Sequence, residues 1–312
     1  MAFSDDRDAA TSYSGALPPL TAEEAQLRDH LAAEVSHLSV DIGDRSLLHS
    51  ESLQTASDYL SGFLREQGYS VVEHPYFVKG KRVSNLEAVL PGRERSLGQV
   101  IVGAHYDSVA GTVAADDNGS GVAGLLEIAR LIRHTQPRRT IRIVFFVNEE
   151  PPFFQTAKMG SRVYAHELHA QGVSVSAMFS LETIGFYSDQ KGSQKYPPVL
   201  NLFYPDKGDF IGIVGNRESR SLVRETLRNF RSTTRFPSEG IAAPGSLPGI
   251  GWSDQWSFWQ EGYPGVMVTD TAPFRYAYYH TVDDTVDKLD FDKTARVVEG
   301  ILSVVEAAAE KP

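Results

Sequence analysis

From Gln99 onwards the chain alternates short apolar runs with helical stretches, and no other feature narrows its possible folds as much. Gln99-Val-Ile-Val-Gly-Ala104 lacks the polar alternation of a half-solvated strand, which is the pattern of a strand covered on both faces. Residues 119–133 then read as a helix, 140–147 as a second buried strand, and 160–170 as a helix closed by Gly172. Ala177–Leu181 supplies a further strand, 198–214 two more, 218–230 a helix, Pro264–Val268 a strand, and 291–309 a closing amphipathic helix. Strands separated by helices of this length build β-α-β units, so the predicted class is α/β: a mixed, mostly parallel central sheet flanked by helices on both faces.

The segment before Gln99 has a different texture. Thr21-Ala-Glu-Glu24 offers a capping box, followed by Leu27, Leu31, Val35 and Leu38 at helical spacing. A second helix covers 52–67 and ends at Gly68, and Tyr69–Phe77 with Val83–Leu90 reads as an antiparallel pair turning at Lys79-Gly80-Lys81. Residues 1–20 are polar and read as a flexible N-terminal arm, leaving 21–312 as a single domain. At roughly 150 residues per domain two would fit, but α/β enzymes of this length commonly form one unit. The acidic start, Met1-Ala-Phe-Ser-Asp-Asp-Arg-Asp8, lacks a basic region and apolar stretch, so no signal peptide is expected in this chain. The compartment stays open: cytoplasmic by default, extracytoplasmic if a leader was removed.

In sheets of this kind ligands gather outside the carboxyl ends of the strands. His105-Tyr-Asp107 follows the strand ending at Ala104, Asn148-Glu-Glu150 follows Val147, and Glu182 follows Leu181. Ala115-Asp-Asp-Asn-Gly-Ser-Gly121 adds carboxylates before a helix, and His280 stands in Tyr278-Tyr-His-Thr-Val-Asp-Asp284. Composition sharpens the reading. With no cysteine, any metal must sit on imidazole, carboxylate and water. A net charge of −10 offers no footprint for nucleic acid. The strongest apolar run, Ile141–Val147, is interrupted by Arg142 and far short of the roughly 20 residues that span a membrane. Oligomeric state is not legible.

These pieces, in this order, resemble the M28 family of co-catalytic zinc peptidases: Gly103-Ala-His-Tyr-Asp-Ser-Val109, Ala115–Gly121, Val147-Asn-Glu-Glu150, Met159-Gly-Ser161, Ser180-Leu-Glu-Thr-Ile-Gly-Phe186 and Tyr279-His280. The similarity spans about 22–310 and implies the zinc-dependent exopeptidase fold. It implies that His105 and Glu182 hold one zinc ion, Glu150 and His280 a second, and Asp117 both. Manganese or cobalt suits the same donors. It implies further that Glu149 is the general base, that the Asp107 carboxylate orients His105, that Tyr279 donates to the oxyanion, and that a cis peptide follows Asp117. The better-known aminopeptidases of the family carry Asp where Glu182 stands, which makes this ligand one methylene longer.

The activity so implied is an aminopeptidase acting on peptides with a free N-terminus. A glutaminyl-peptide cyclotransferase with one zinc, or a non-catalytic binding module on the same scaffold, are the alternatives. Two decoys are set aside. His166-Glu-Leu-His169 has its second histidine at i+3 rather than i+4. Asn118-Gly-Ser120 is formally a glycosylation sequon, but it lies in the candidate metal loop. The long connection 183–210 and the stretch 232–262 are candidate walls of a substrate pocket.

Overall fold

The computed structural model describes residues 11–198 and 200–311. In chain order its elements are α1 (Ala22–Ser36), α2 (Ser50–Glu66), β1 (Val71–Val78), β2 (Lys81–Leu90), β3 (Gln99–His105), α3 (Gly121–Ile132), β4 (Ile141–Phe146) and α4 (Gly160–Ala170). There follow β5 (Val175–Glu182), β6 (Ile211–Gly215), α5 (Arg220–Thr233), β7 (Ser238–Ala242), α6 (Gln255–Trp259), β8 (Gly265–Thr269), α7 (Ala272–Arg275) and α8 (Phe291–Glu310). The Thr21 hydroxyl accepts the amide of Glu24 while the Glu24 carboxylate accepts that of Thr21, so α1 starts on a complete capping box.

The strands form one sheet in the order β1-β2-β4-β3-β5-β8-β6-β7. Its centre, β4-β3-β5-β8, is parallel, whereas β2 meets β4, and β6 meets β8, in antiparallel register. The sheet is therefore mixed with a parallel heart, and helices cover both faces. Alternate residues explain the layers. Val100, Val102, Ala104, Phe179 and Leu181 join the large core with Leu31, Leu126, Phe230, Val298 and Ile301 of α1, α3, α5 and α8. Ile101, Val144, Phe146 and Met178 face Tyr164, Leu168 and Phe258 of α4 and α6. Each such fully buried large side chain contributes about 1.5–3 kcal/mol relative to exposure, so the strand ends rest on a base that loop chemistry cannot easily distort.

Two sequence expectations change. The run 198–214 yields one strand, β6: Leu202 and Phe203 are exposed, a single turn covers Leu200–Leu202, and Asp206-Lys-Gly-Asp209 interrupts the apolar pattern. The short edge strand β7 and the helices α6 and α7 were not anticipated, each having only four or five residues. Of the expected arm, 1–10 lies outside the described residues. Within 11–20, the Ser12 hydroxyl accepts the Ser238 amide, Leu17 packs on the core and the Pro18 carbonyl accepts from Arg296. Among the described residues no helix is long and apolar enough to cross a membrane.

Candidate metal centre

Three parallel strands deliver their ends to one edge of the sheet: His105 is the last residue of β3, Glu149 and Glu150 follow β4, and Glu182 is the last residue of β5. Asp117 comes from the irregular turn Ala115–Ser120 before α3, and its peptide bond to Asn118 is cis. Gly121 lets α3 begin tightly against β5, since a Cβ there would lie 2.2 Å from the Asn118 Oδ1 and 2.7 Å from the Leu181 carbonyl. His280 arrives from the loop ahead of α8 with φ +59°, and Asn148 and Thr183, beside Glu149 and Glu182, also have positive φ. Such conformations in non-glycine residues cost free energy and concentrate at functional sites.

These side chains meet in two groups that share Asp117. His105 Nε2 lies 3.3 Å from Asp117 Oδ1 and 3.3 Å from Glu182 Oε2. His280 Nε2 lies 3.0 Å from Asp117 Oδ2 and 3.3 Å from Glu150 Oε2. Asp117, Glu150 and Glu182 are buried with His105, while the His280 side chain is one-third exposed and marks the open side. Glu149 Oε2 sits 3.9 Å from His105 Nε2, outside the two groups that share Asp117, and comes together with His105 and Glu150 in a third.

Do these residues fit zinc? His105 Nε2, both Asp117 oxygens and Glu150 Oε1 are buried with no hydrogen-bond partner among the described residues, a costly state unless a cation receives them. Donors bound at about 2.0 Å in a tetrahedron stand about 3.3 Å apart, which matches the separations above. The donor set of imidazole and carboxylate suits zinc, and the residues fit it.

Electrostatics point the same way. Burial raises the Glu149 and Glu150 carboxyls well above the usual range; neighbouring carboxylates add to this and His105 opposes it. Burial also acts to raise Asp117, but the adjacent His105 and His280 imidazoles hold it below the ordinary value. A crowd of buried acids with two histidines as its main counter-charges is a place prepared for cations.

The surrounding contacts assign roles. His105 Nδ1 lies 3.2 Å from the Asp107 backbone carbonyl and 3.7 Å from its carboxylate. Asp107 thus stands beside His105 Nδ1 with its carbonyl nearer than its carboxylate, on the side of the ring away from the Nε2 that faces Asp117 and Glu182. The Asp107 carboxylate accepts the amides of Glu149 at 3.0 Å and Glu150 at 3.2 Å, fixing that turn. Tyr279 stacks on His280 with ring centroids 3.8 Å apart, and its hydroxyl has no hydrogen-bond partner among the described residues.

Several supporting residues escaped the sequence reading. The Ser253 hydroxyl donates to Glu182 Oε2 at 2.5 Å. Asp284 accepts the amides of Asp116 and Asp117 and the hydroxyl of Tyr276. Asp254 is fully buried, and burial pushes its carboxyl up to about 7, with His105 opposing and Glu182 assisting. Arg45, also fully buried, donates to the carbonyls of Tyr106, Leu38, Gly43, Val113 and Ala114. Asp284 ends the quoted run Tyr278–Asp284, and Ser253 and Asp254 lie within the stretch 232–262; Arg45 gave no local signal.

The decoys resolve plainly. His166 and His169 are exposed on α4 and face Glu261. Asn118 is fully buried, its amide donating to the Leu181 carbonyl, so the sequon is inaccessible.

Comparison with known proteins follows from this geometry. The model of peptidase family M28 matches residues 85–305. The chain belongs to peptidase family M28. This M28 peptidase is 36% identical over 286 residues to the uncharacterized protein YfbL of Escherichia coli, covering 89% of this chain and 87% of that one. Its fold is similar to BSAP, described as a zinc aminopeptidase from Bacillus subtilis, with TM-score 0.72 and 14% identity over 91% of this chain and 95% of the other. It is also similar in fold to the Tannerella forsythia glutaminyl cyclase, with TM-score 0.65 and 22% identity over 89% and 98% of the two chains.

Proposed function

We propose that this M28 peptidase is an aminopeptidase in which His105, Glu182 and Asp117 hold one zinc ion and Glu150, His280 and Asp117 a second, with Glu149 as general base. The observation that carries this reading is the pair of three-residue groups sharing Asp117, with a carboxylate beside them that belongs to neither. All five proposed ligands are present, which speaks against a non-catalytic binding module.

Zinc bound there would acidify a water for attack on a peptide carbonyl and polarise that carbonyl. The protein supplies the rest. Glu149 takes the proton of the attacking water and returns it to the leaving amine nitrogen; its raised proton affinity, caused first by burial, suits both halves of that transfer. Asp107 holds the Glu149 and Glu150 amides so that neighbouring carboxylates point to different tasks. The Tyr279 hydroxyl is available to donate to the oxyanion, and stacking on His280 fixes its ring. The surplus of carboxylate around the centre gives a substrate ammonium a partner, which favours a free N-terminus.

Metal analysis should find two zinc ions per chain. Glu149→Gln should keep them and lose about 10²–10⁴ in turnover of aminoacyl anilides; undiminished hydrolysis by that variant would refute the assignment. Cleavage of free but not N-blocked dipeptides sets the direction. The likeness in fold to a glutaminyl cyclase keeps one rival open. One zinc per chain, with ammonia released from an N-terminal glutamine peptide, would establish that rival instead.

A further inference from the structure

A cleft of about 750 Å³, open mouth included, adjoins the metal centre, and Glu182 and Tyr279 belong to its lining. Its walls are almost wholly apolar and include Tyr196, Tyr204, Ile241, Ile250, Trp252 and Phe274. One charged group besides Glu182 lines it: Glu239 on β7.

The register of the sheet places that acid. Glu182 pairs with Thr269, Thr269 with Gly212, and Gly212 with Glu239, so one row runs across β5, β8, β6 and β7 from the metal centre to the sheet edge. Side chains in one such row share a face. A Cβ on Gly240, the next residue, would meet Leu227 and Val223 of α5, so Gly240 faces the helix and Glu239 the cleft. Gly212 keeps the middle of the row low. Arg231 lies towards the other face, donating to the hydroxyl and carbonyl of Ser238. Glu239 is partly buried and has no hydrogen bond or salt bridge among the described residues; burial raises its carboxyl, and the charge of Arg231 opposes that rise. On the cleft side the lining holds no cation, and there a carboxylate is costly to keep dehydrated.

We propose that this cleft receives the side chain of the substrate's N-terminal residue and selects lysine or arginine, with Glu239 accepting the terminal cation. The inference rests on the aminopeptidase reading above and names its substrate class. Three strand spacings of about 4.8 Å put the Glu182 and Glu239 backbones about 14 Å apart. An extended arginine reaches about 7 Å from its Cα and a hydrogen bond adds about 3 Å, leaving about 4 Å for a Cα seated beside Glu182. The stacked rings of Tyr196 and Tyr204, 5.8 Å between centroids, offer an apolar face to the methylene stem and a π face to the cation. A leucine side chain stops well short of Glu239 and leaves it unpaired.

The test compares lysyl, arginyl, norleucyl and leucyl anilides on the zinc-loaded protein. Norleucine keeps the four side-chain carbons of lysine and lacks only the ammonium, so the lysine-to-norleucine ratio of kcat/KM isolates the cation. That ratio should exceed about tenfold in the native protein and fall by about tenfold or more in Glu239→Gln, while Glu239→Lys should invert the preference in favour of glutamyl anilide. Equilibrium binding of argininamide against norleucinamide, followed by calorimetry, reads the same pocket without turnover. Norleucine equal to lysine in rate and binding, with both ratios unmoved by Glu239→Gln, overturns the inference and leaves the aminopeptidase reading standing. No turnover of any anilide, with argininamide still bound through Glu239, would sink the aminopeptidase reading and keep the pocket.

Discussion

Replacing Arg45 by methionine should destabilise the protein severely, and the size of the effect follows from its contacts. The guanidinium is fully buried and donates to five backbone carbonyls at 2.9–3.0 Å, two of which, Val113 and Ala114, immediately precede the metal loop. Methionine matches the volume of the stem but removes all five bonds; the Leu38 and Ala114 oxygens keep the amides of Gly43 and Gly119, and those of Tyr106, Gly43 and Val113 lose their partner among the described residues. Charge-assisted bonds contribute about 1.5–3 kcal/mol each, so the gross loss would exceed the stability of most domains; water entry and relaxation reduce this to about 3–5 kcal/mol. Loss of the positive charge acts in the same direction, because Asp284, Asp107 and Asp117 lie within its field. Arg45→Lys should fall between the two, since an ammonium has three donors and no planar fork. Denaturant unfolding of zinc-loaded protein measures both variants. A cost below about 1 kcal/mol for methionine, or a lysine variant no better than methionine, would refute the idea that these carbonyl bonds hold the segment.

Three further outcomes are expected. The metal-free protein should be more stable at pH 5 than at pH 8: burial raises Asp254 and Asp270 from 3.8 to about 7, so the folded state binds more protons across that window and stability falls as pH rises through it. His105, held above the usual imidazole value by Glu182 and Glu149 despite burial, acts in the same sense; melting temperatures at the two pH values check the order, and zinc should narrow the gap. Ser253→Ala removes the hydroxyl that orients Glu182 and should weaken retention of one zinc about 10–100-fold in chelator competition, leaving the other in place. Asp284→Asn leaves either the Asp116 or the Asp117 amide facing a donor, and should lower zinc affinity by a similar factor without changing the number of ions at saturation.

How much of this was legible depends on what each residue's partners are. His105, Glu149, Glu150 and Glu182 could be placed because a parallel sheet converts "residue after a buried strand" into a position in space. Asp117 and His280 have no such address, and only the family resemblance assigned them. Arg45 was invisible because its partners are carbonyl oxygens, which every residue has. Asp107 could be placed beside His105 from its position after the strand, but the bonds of its carboxylate to the Glu149 and Glu150 amides had no sequence signal, since every residue there has an amide. β7 was missed because five residues containing a glycine at an edge give no periodic signal, and 198–214 was over-read because apolar residues of an exposed loop imitate a strand.

The reversed direction of β6 has a consequence for how such an enzyme can vary. Were β6 parallel to its neighbour β8, the connection leaving Glu182 would have to return beneath the sheet before the strand began. Because β6 runs the other way, Gly212 lies level with Thr269, and the segment 183–210 starts and finishes on the same rim. It never has to cross from one rim of the sheet to the other. β7 follows β6 in direction, so Glu239 reaches that rim as well. The elements that line the cleft are thus attached to the fold at its periphery, while the proposed zinc ligands come mainly from its centre. Length and composition of the rim can change with little strain on the ligand strands, which makes substrate range and bond-breaking separable parts of the molecule.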